Sequence, residues 1–367
     1  RSRGGSHRGE MVTLHLHLEI GRVDRGNLHG QESAAAEGIG ICSFKSVSRY
    51  NQILGVGASL MDLLAHVDDS FITSTDRPKG GMTLVDPPVQ RDLLAKLGQN
   101  PSEAPGGSAC NTLVGLSKLG TKARFLGKRG PDARGDRLET ALRGNGLDLS
   151  FARGTQDTGC VLSAGTPDAQ RTMFTSLGAS AEFTASDLDA VSLEGVGLVY
   201  IEGYLLFNTP FFDAVLDKAN KAGVPVALDC GSFDVVQIFR DHIRNLLGAH
   251  RISALLANED ESMALTETDP EPSLEWISQH VDLAVVKLGA RGALLAEGHK
   301  RAVVPANSVA KVIDTTGAGD LWAAGLFAGL DRGWDLSKAG HLAGLVASEV
   351  IQVLGAQIPE AGWERIL

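Results

Sequence analysis

The chain has 367 residues, 43% hydrophobic and 21% charged, enough apolar material to bury the core of one large or two medium globular domains. With 44 acidic and 34 basic residues the net charge is −10, so bulk electrostatics give no support to a polyanion-binding role and leave room only for a local phosphate site. No apolar run approaches bilayer-spanning length, and Cys42, Cys110, Cys160 and Cys230 are widely spaced without a C-x-x-C pair, as expected of ordinary thiols in a reducing, cytoplasmic compartment.

Residues 1–50 carry Arg1, Arg3, Arg8, Arg22 and Arg25 and no sustained apolar period, and are read as a disordered or targeting extension. Glu10, Glu19, Asp24, Glu32 and Glu37 count against a transit peptide. His15, His17 and Glu19 alternate as strand-borne metal ligands would, but an incidental polar tail is the commoner reading.

Residues 52–57 are an apolar run ending in glycines and predict a short buried strand. Leu60 stands where a dinucleotide fingerprint requires another glycine, which weakens that reading. Asp62 lies just past the strand, where ligands gather at the carboxyl edge of an open parallel sheet; a surface loop carboxylate fits the local pattern as well. Polar, glycine-punctuated alternation over about 66–90 and 155–178 predicts short strands inserted beside βα units, hence a small β-sheet lid on a larger α/β domain. Gly106 and Gly107 let a backbone come close to a ligand, while Asn111 offers a donor and an acceptor to hydroxyls. Ser108 is placed to cap the helix predicted by Leu113, Leu116 and Leu119. Gly115 and Gly120 have P-loop spacing, but Thr121 precedes Lys122, the wrong order for phosphate binding.

A helix over 185–193 and buried strands at 196–201, 224–229, 254–257 and 282–288, with helices between, predict a doubly wound, largely parallel α/β sheet flanked by helices. Glu202 emerges at one strand end, open to substrate or solvated in a loop. Asn258 opens an acidic cluster with Glu259, Asp260 and Glu261, which either attracts a cation or starts an exposed helix. Lys287, Gly289 and Gly292 form a glycine-bearing turn between apolar segments, readable as a plain hairpin.

Residues 312–320, VIDTTGAGD, carry the most chemistry. An apolar run feeds the turn Gly317, Ala318, Gly319, and a helix rich in Ala, Leu and Gly follows at once. Unpaired amides and the positive end of the helix dipole favour an anion there. A carboxylate at Asp320 works against an anion unless it handles a proton, which points to phosphoryl transfer; a helix-capping role is the competing reading.

The stretch Asp314 to Asp320 resembles the C-terminal signature of the ribokinase-like (phosphofructokinase B) family of small-molecule kinases, with further matches from about residue 53 to the C-terminus. The resemblance implies ATP-dependent phosphorylation of an alcohol. Asp320 would be the base, and Gly317, Ala318 and Gly319 would hold the transferring phosphate. Asp62, Gly106, Gly107 and Asn111 would grip the acceptor, and Arg171 would reach the phosphates. Asn258 and Glu261 would place Mg²⁺ through water, while Lys287, Gly289 and Gly292 line the nucleotide pocket. Asp314 and Thr316 match positions that hold K⁺ in some members. The likeness is greatest to bacterial adenosine-kinase-type members, so the expected acceptor is a ribonucleoside. A free sugar (ribose, fructose or ketodeoxygluconate) is the alternative, and a non-catalytic binding protein the reading from a different class. A platform for a base is expected from Phe71, Met82, Phe174 or Tyr204, unless these are lid core. Lid strands that pair between subunits in some relatives imply a homodimer.

Overall fold

The computed structural model describes residues 48–168 and 170–367. The extension read from residues 1–50, with His15, His17, Glu19 and Cys42, lies outside them except for its last three residues. Those three belong to the folded unit. Tyr50 is buried edge-on against Phe327, 6.1 Å between ring centroids, and Arg49 pairs with Glu297 at 2.8 Å.

Among the described residues the strands are β1 (Ile53–Val56), β2 (Leu60–His66), β3 (Met82–Leu84), β4 (Ser102–Gly106), β5 (Ala123–Arg129), β6 (Asp148–Arg153) and β7 (Thr158–Gly165), then β8 (Arg171–Gly178), β9 (Leu198–Glu202), β10 (Val226–Asp229), β11 (Ala254–Asn258), β12 (Leu283–Lys287), β13 (Ala293–Glu297) and β14 (Lys300–Val304). Nine form one sheet in the order β14-β13-β12-β11-β10-β9-β1-β5-β6. It is parallel from β12 to β6 and antiparallel only where β13 and β14 are appended. The central strands are continuous apolar runs, and β1, β9 and β10 are buried throughout, so both faces need covering. Helices Ser108–Lys118, Ala318–Asp331 and Leu336–Val350 contribute Leu113, Phe327 and Val346 to one core. Helices Thr209–Lys221 and Phe233–Gly248 contribute Phe212 and Val236 to the other. From β1 the chain builds outward to β5 and β6 on one side and later to β9 and beyond on the other, so β1 and β9 flank the topological switch point, where such sheets bind ligands.

The second sheet has the order β3-β8-β7-β2-β4. The strands expected within 66–90 and 155–178 are β3, β7 and β8, but the sheet also recruits β2 and β4, which places Asp62 and Gly106 on lid strands. That recruitment is a matter of long-range pairing: β2 runs parallel to β7 and antiparallel to β4, and neither partner is adjacent in sequence. Leu63, Leu162 and Phe174 on one face share a core with Ile72 and Leu93 of the helices Asp69–Thr73 and Pro87–Lys96. The helix expected over 185–193 is reduced to a 3-10 turn, Ala185–Leu188, started by a capping box between Thr184 and Asp187. Among the described residues no helix is long and apolar enough to cross a membrane.

Candidate active site

The carboxyl ends of the parallel strands deliver Ala58, Glu202, Asp229, Asn258 and Lys287 to one edge of the large sheet. The free face of the small sheet overlooks the same edge, and between them lies a cleft of about 880 Å³, within the usual range for small-molecule sites.

The turn at the start of helix Ala318–Asp331 forms the floor. Gly317 has φ 73°, and a Cβ there would also meet Ala356 Cβ at 2.5 Å, so glycine is required twice over. No side chain caps this helix. The Ala318 amide closes a turn onto the Thr315 carbonyl at 3.2 Å, which leaves the next first-turn amides, of Gly319 and Asp320, to a ligand. Asp320 is held from the neighbouring helix: Ser108 Oγ donates to Oδ1 at 2.7 Å and Asn111 Nδ2 to Oδ2 at 3.0 Å. Burial raises its carboxyl to about 6, against the lowering effect of those two hydrogen bonds. Ser108 therefore serves Asp320 rather than capping its own helix, whose N-cap is Gly107. Asn111 Oδ1 is a buried acceptor without a partner on the cleft wall, a place for a donor from a bound hydroxyl.

Asp62 sits beside this pair. Its carboxylate fills the space a Gly106 side chain would need, so the two motif residues define one surface. Burial raises Asp62 to about 7; the nearby Arg171 charge opposes the shift and Asp320 adds to it. Glu202 is 1% exposed, and both oxygens are taken, by the backbone amides of Ala58 at 2.7 Å and Ala109 at 2.8 Å. It ties the end of β1 to the first turn of helix Ser108–Lys118 and holds the glycine motif in place, instead of presenting a free carboxylate to the acceptor.

At the other end, Lys287 Nζ donates to Asp229 Oδ2 at 3.1 Å, and a Cβ built on Gly319 would lie 3.3 Å from that nitrogen. The ammonium thus stands beside the turn at Gly319. Burial alone would lower its pKa, but Asp229 and Glu261 hold it above the ordinary lysine value. A buried polar thread leads back to Asp320: Tyr200 donates to Asp229 at 3.2 Å, and Thr112 Oγ1 lies 3.2 Å from both Tyr200 Oη and the Asp320 carbonyl. Asn258 and Glu261 form a reciprocal capping box at the start of helix Glu259–Thr266, and both also line the cleft. The turn carrying Gly289 and Gly292 is the β12–β13 hairpin and lines the cleft as well.

Arg171, on lid strand β8, is directed to Asp314 Oδ2 and Thr316 Oγ1 and is not among the residues lining the cleft. Asp314 further accepts the Thr316 amide at 3.0 Å and the Gly355 amide at 2.6 Å. Arg171 thus stands against the side-chain oxygens of Asp314 and Thr316 that the resemblance assigns to K⁺. For Mg²⁺ the fit is of another kind. Among the described residues no three His, Cys, Asp or Glu side chains converge on a metal position, and Glu261, in the cleft wall, has one oxygen bonded to the Asn258 amide and the other to Asn258 Nδ2, each at 2.8 Å, so the protein alone offers the ion no complete shell.

Of the residues expected to support a base, Met82 and Tyr204 line the cleft, whereas Phe174 is fully buried beneath the lid and Phe71 packs against that core. Sequence reasoning missed Phe207, which is 41% exposed on the cleft wall with its ring edge-on to Phe239. It also missed Asp229, although its place at the end of an apolar run is the signal that singled out Glu202.

The pfkB family carbohydrate kinase signature matches residues 82–361. A ribokinase from Arabidopsis thaliana is 31% identical over 309 residues, 78% of this chain and 74% of that protein. Two crystal structures superpose with 30% identity, each over 87% of this chain and 98% of the other: a probable sugar kinase from Rhizobium etli CFN 42, TM-score 0.80, and adenosine kinase from Sinorhizobium meliloti, TM-score 0.79. With its doubly wound sheet, its small second sheet and a signature covering most of its length, the chain belongs to the pfkB family of carbohydrate kinases, phosphotransferases that act on a hydroxyl acceptor.

Proposed function

We propose that this kinase transfers the γ-phosphoryl group of ATP to the primary hydroxyl of a ribonucleoside. The observation that carries the reading is a single cleft that presents apolar side chains from the lid, from the loop after β9 and from the region of β14 and helix Leu336–Val350. Leu60, Val161 and Leu177 of the lid, Tyr204 and Phe207, and Val304, Pro305, Ala347 and Ile351 all line it. Asp320 is bonded to Ser108 and Asn111, and Gly319 lies beside Lys287. Two ring systems with a phosphate between them fit that layout; a free sugar would leave the lid's apolar wall uncovered.

In this reading Asp62 and Asn111 orient the acceptor, and Asp320 accepts the proton of the attacking hydroxyl at its carboxylate. The Gly319 and Asp320 amides and the Lys287 ammonium face the charge spread over the transferring group. Mg²⁺, when bound with the nucleotide, supplies counter-charge to the phosphates. The deciding experiment is ADP release by the purified protein with Mg²⁺-ATP and, in turn, adenosine, other nucleosides, ribose, fructose and ketodeoxygluconate. Nucleoside-dependent ADP is the expected result. Turnover confined to free sugars overturns the acceptor, and no acceptor-dependent ADP with any of them points to a binding protein.

Because Arg171 occupies Asp314 and Thr316, the rate is expected to stay unchanged when KCl replaces choline chloride at equal ionic strength. A K⁺-specific increase would show that the guanidinium yields its place to the ion.

A further inference from the structure

The cleft-facing side of the lid is set by strand register. Asp62, Val161 and Thr175 lie in one row across β2, β7 and β8, and Leu64, Ser163 and Met173 in the next. Alternation sends Leu162 and Ala164 into the core beneath and leaves Val161 and Ser163 on the cleft. That wall is apolar at Leu60, Val161, Met173 and Leu177, which form a small cluster of their own. Asp62, Thr175 and Ser163 interrupt it. Ser163 is 4% exposed and its hydroxyl has no hydrogen-bond partner. A buried hydroxyl in an apolar wall is unfavourable unless something else supplies the partner.

Among the described residues, the buried side-chain polar atoms without a partner include two on the cleft, Asn111 Oδ1 and Ser163 Oγ. Asn111 stands at the Asp320 end, where the reacting hydroxyl belongs. Ser163 stands two residues along the strands from the Asp62 row, on the order of 7 Å farther into the lid. Two orphaned groups on one cleft, with the Val161 side chain in the row next to Ser163, match a ligand that is polar at both ends and has an apolar face between them. A ribose joined to a heterocycle whose far edge carries a polar substituent has that form.

We infer that Ser163 is a specificity residue that hydrogen-bonds the exocyclic amino or oxo group on the base of the acceptor, at the ring edge remote from the ribose. The inference rests on the ribonucleoside reading above. A hydroxyl both donates and accepts, so it serves an amino or an oxo substituent alike and discriminates against a base that has neither. It is neutral and therefore does not select a charged group.

The test compares wild type and Ser163→Ala on adenosine and on purine riboside, the same nucleoside without the 6-amino group. On adenosine, kcat/KM is expected to fall about 5- to 15-fold, mostly through KM, the usual loss for one hydrogen bond to a bound ligand. On purine riboside it is expected to stay at the wild-type value. Removing an unpaired hydroxyl should leave the Tm of the unliganded protein equal or higher, while the rise in Tm on adding adenosine shrinks; a merely structural serine would show the reverse. Equal losses on both nucleosides, or none on either, overturn the assignment of Ser163 and leave the nucleoside reading standing. Turnover of free sugars with neither nucleoside accepted overturns both.

Discussion

Asp320→Asn is expected to lower kcat by about 10²- to 10⁴-fold, the usual contribution of a positioned base, with little change in nucleotide binding. In the wild type the carboxylate must be ionised to accept a proton, and burial has raised it to about 6. The rate should therefore fall as pH drops through about 6 and level off above it. In the variant that acid limb should vanish along with most of the turnover. A pH profile of kcat with single-turnover measurements separates this from a binding defect. Near-normal turnover in the variant would remove Asp320 from the role of base. Ser108→Ala and Asn111→Ala should act in part through the same group, because each takes away a hydrogen bond to one of its oxygens.

Lys287→Met is expected to be nearly as damaging for two separable reasons. The ammonium is buried against Asp229, and Glu261 is close enough to raise its pKa, so its loss strands buried acids without a counter-charge. Breaking such a pair typically costs roughly 3–5 kcal/mol of stability. The double variant Lys287→Met/Asp229→Asn removes both partners and should recover much of that loss, as measured by chemical denaturation, yet remain slow because no cation stands beside Gly319. Recovery of turnover in the double variant would show that Lys287 is structural only. The sign with pH follows from Glu261, which burial raises above the ordinary carboxylate range against the pull of Lys287. Below its folded pKa Glu261 is neutral and needs no counter-charge, so the deficit of Lys287→Met should be smaller at low pH and grow as pH rises.

The turn at the head of helix Ala318–Asp331 was legible in the sequence because it is local. The turn from Gly317 to Asp320 is contiguous, and its anion preference follows from backbone geometry that a few residues specify. The parallel sheet was legible from repeated apolar runs, since strands covered on both faces have no other composition. What each acid does was settled by partners distant in the chain. Glu202 and Asp229 stand at equivalent ends of adjacent strands, paired in register, yet one is consumed by two backbone amides and the other by a lysine. Arg171 turns to Asp314 and Thr316 through contacts more than a hundred residues away. Ser163 reads in sequence as one polar residue in an alternating strand, and its orphaned hydroxyl exists only because β2, β7 and β8 enclose it between Leu64 and Met173. Composition and short-range spacing determined the elements and the glycine turn at Gly317. Tertiary pairing decided which polar groups are spent within the protein and which are left for a ligand, because hydrogen-bond satisfaction depends on neighbours in space, not in sequence.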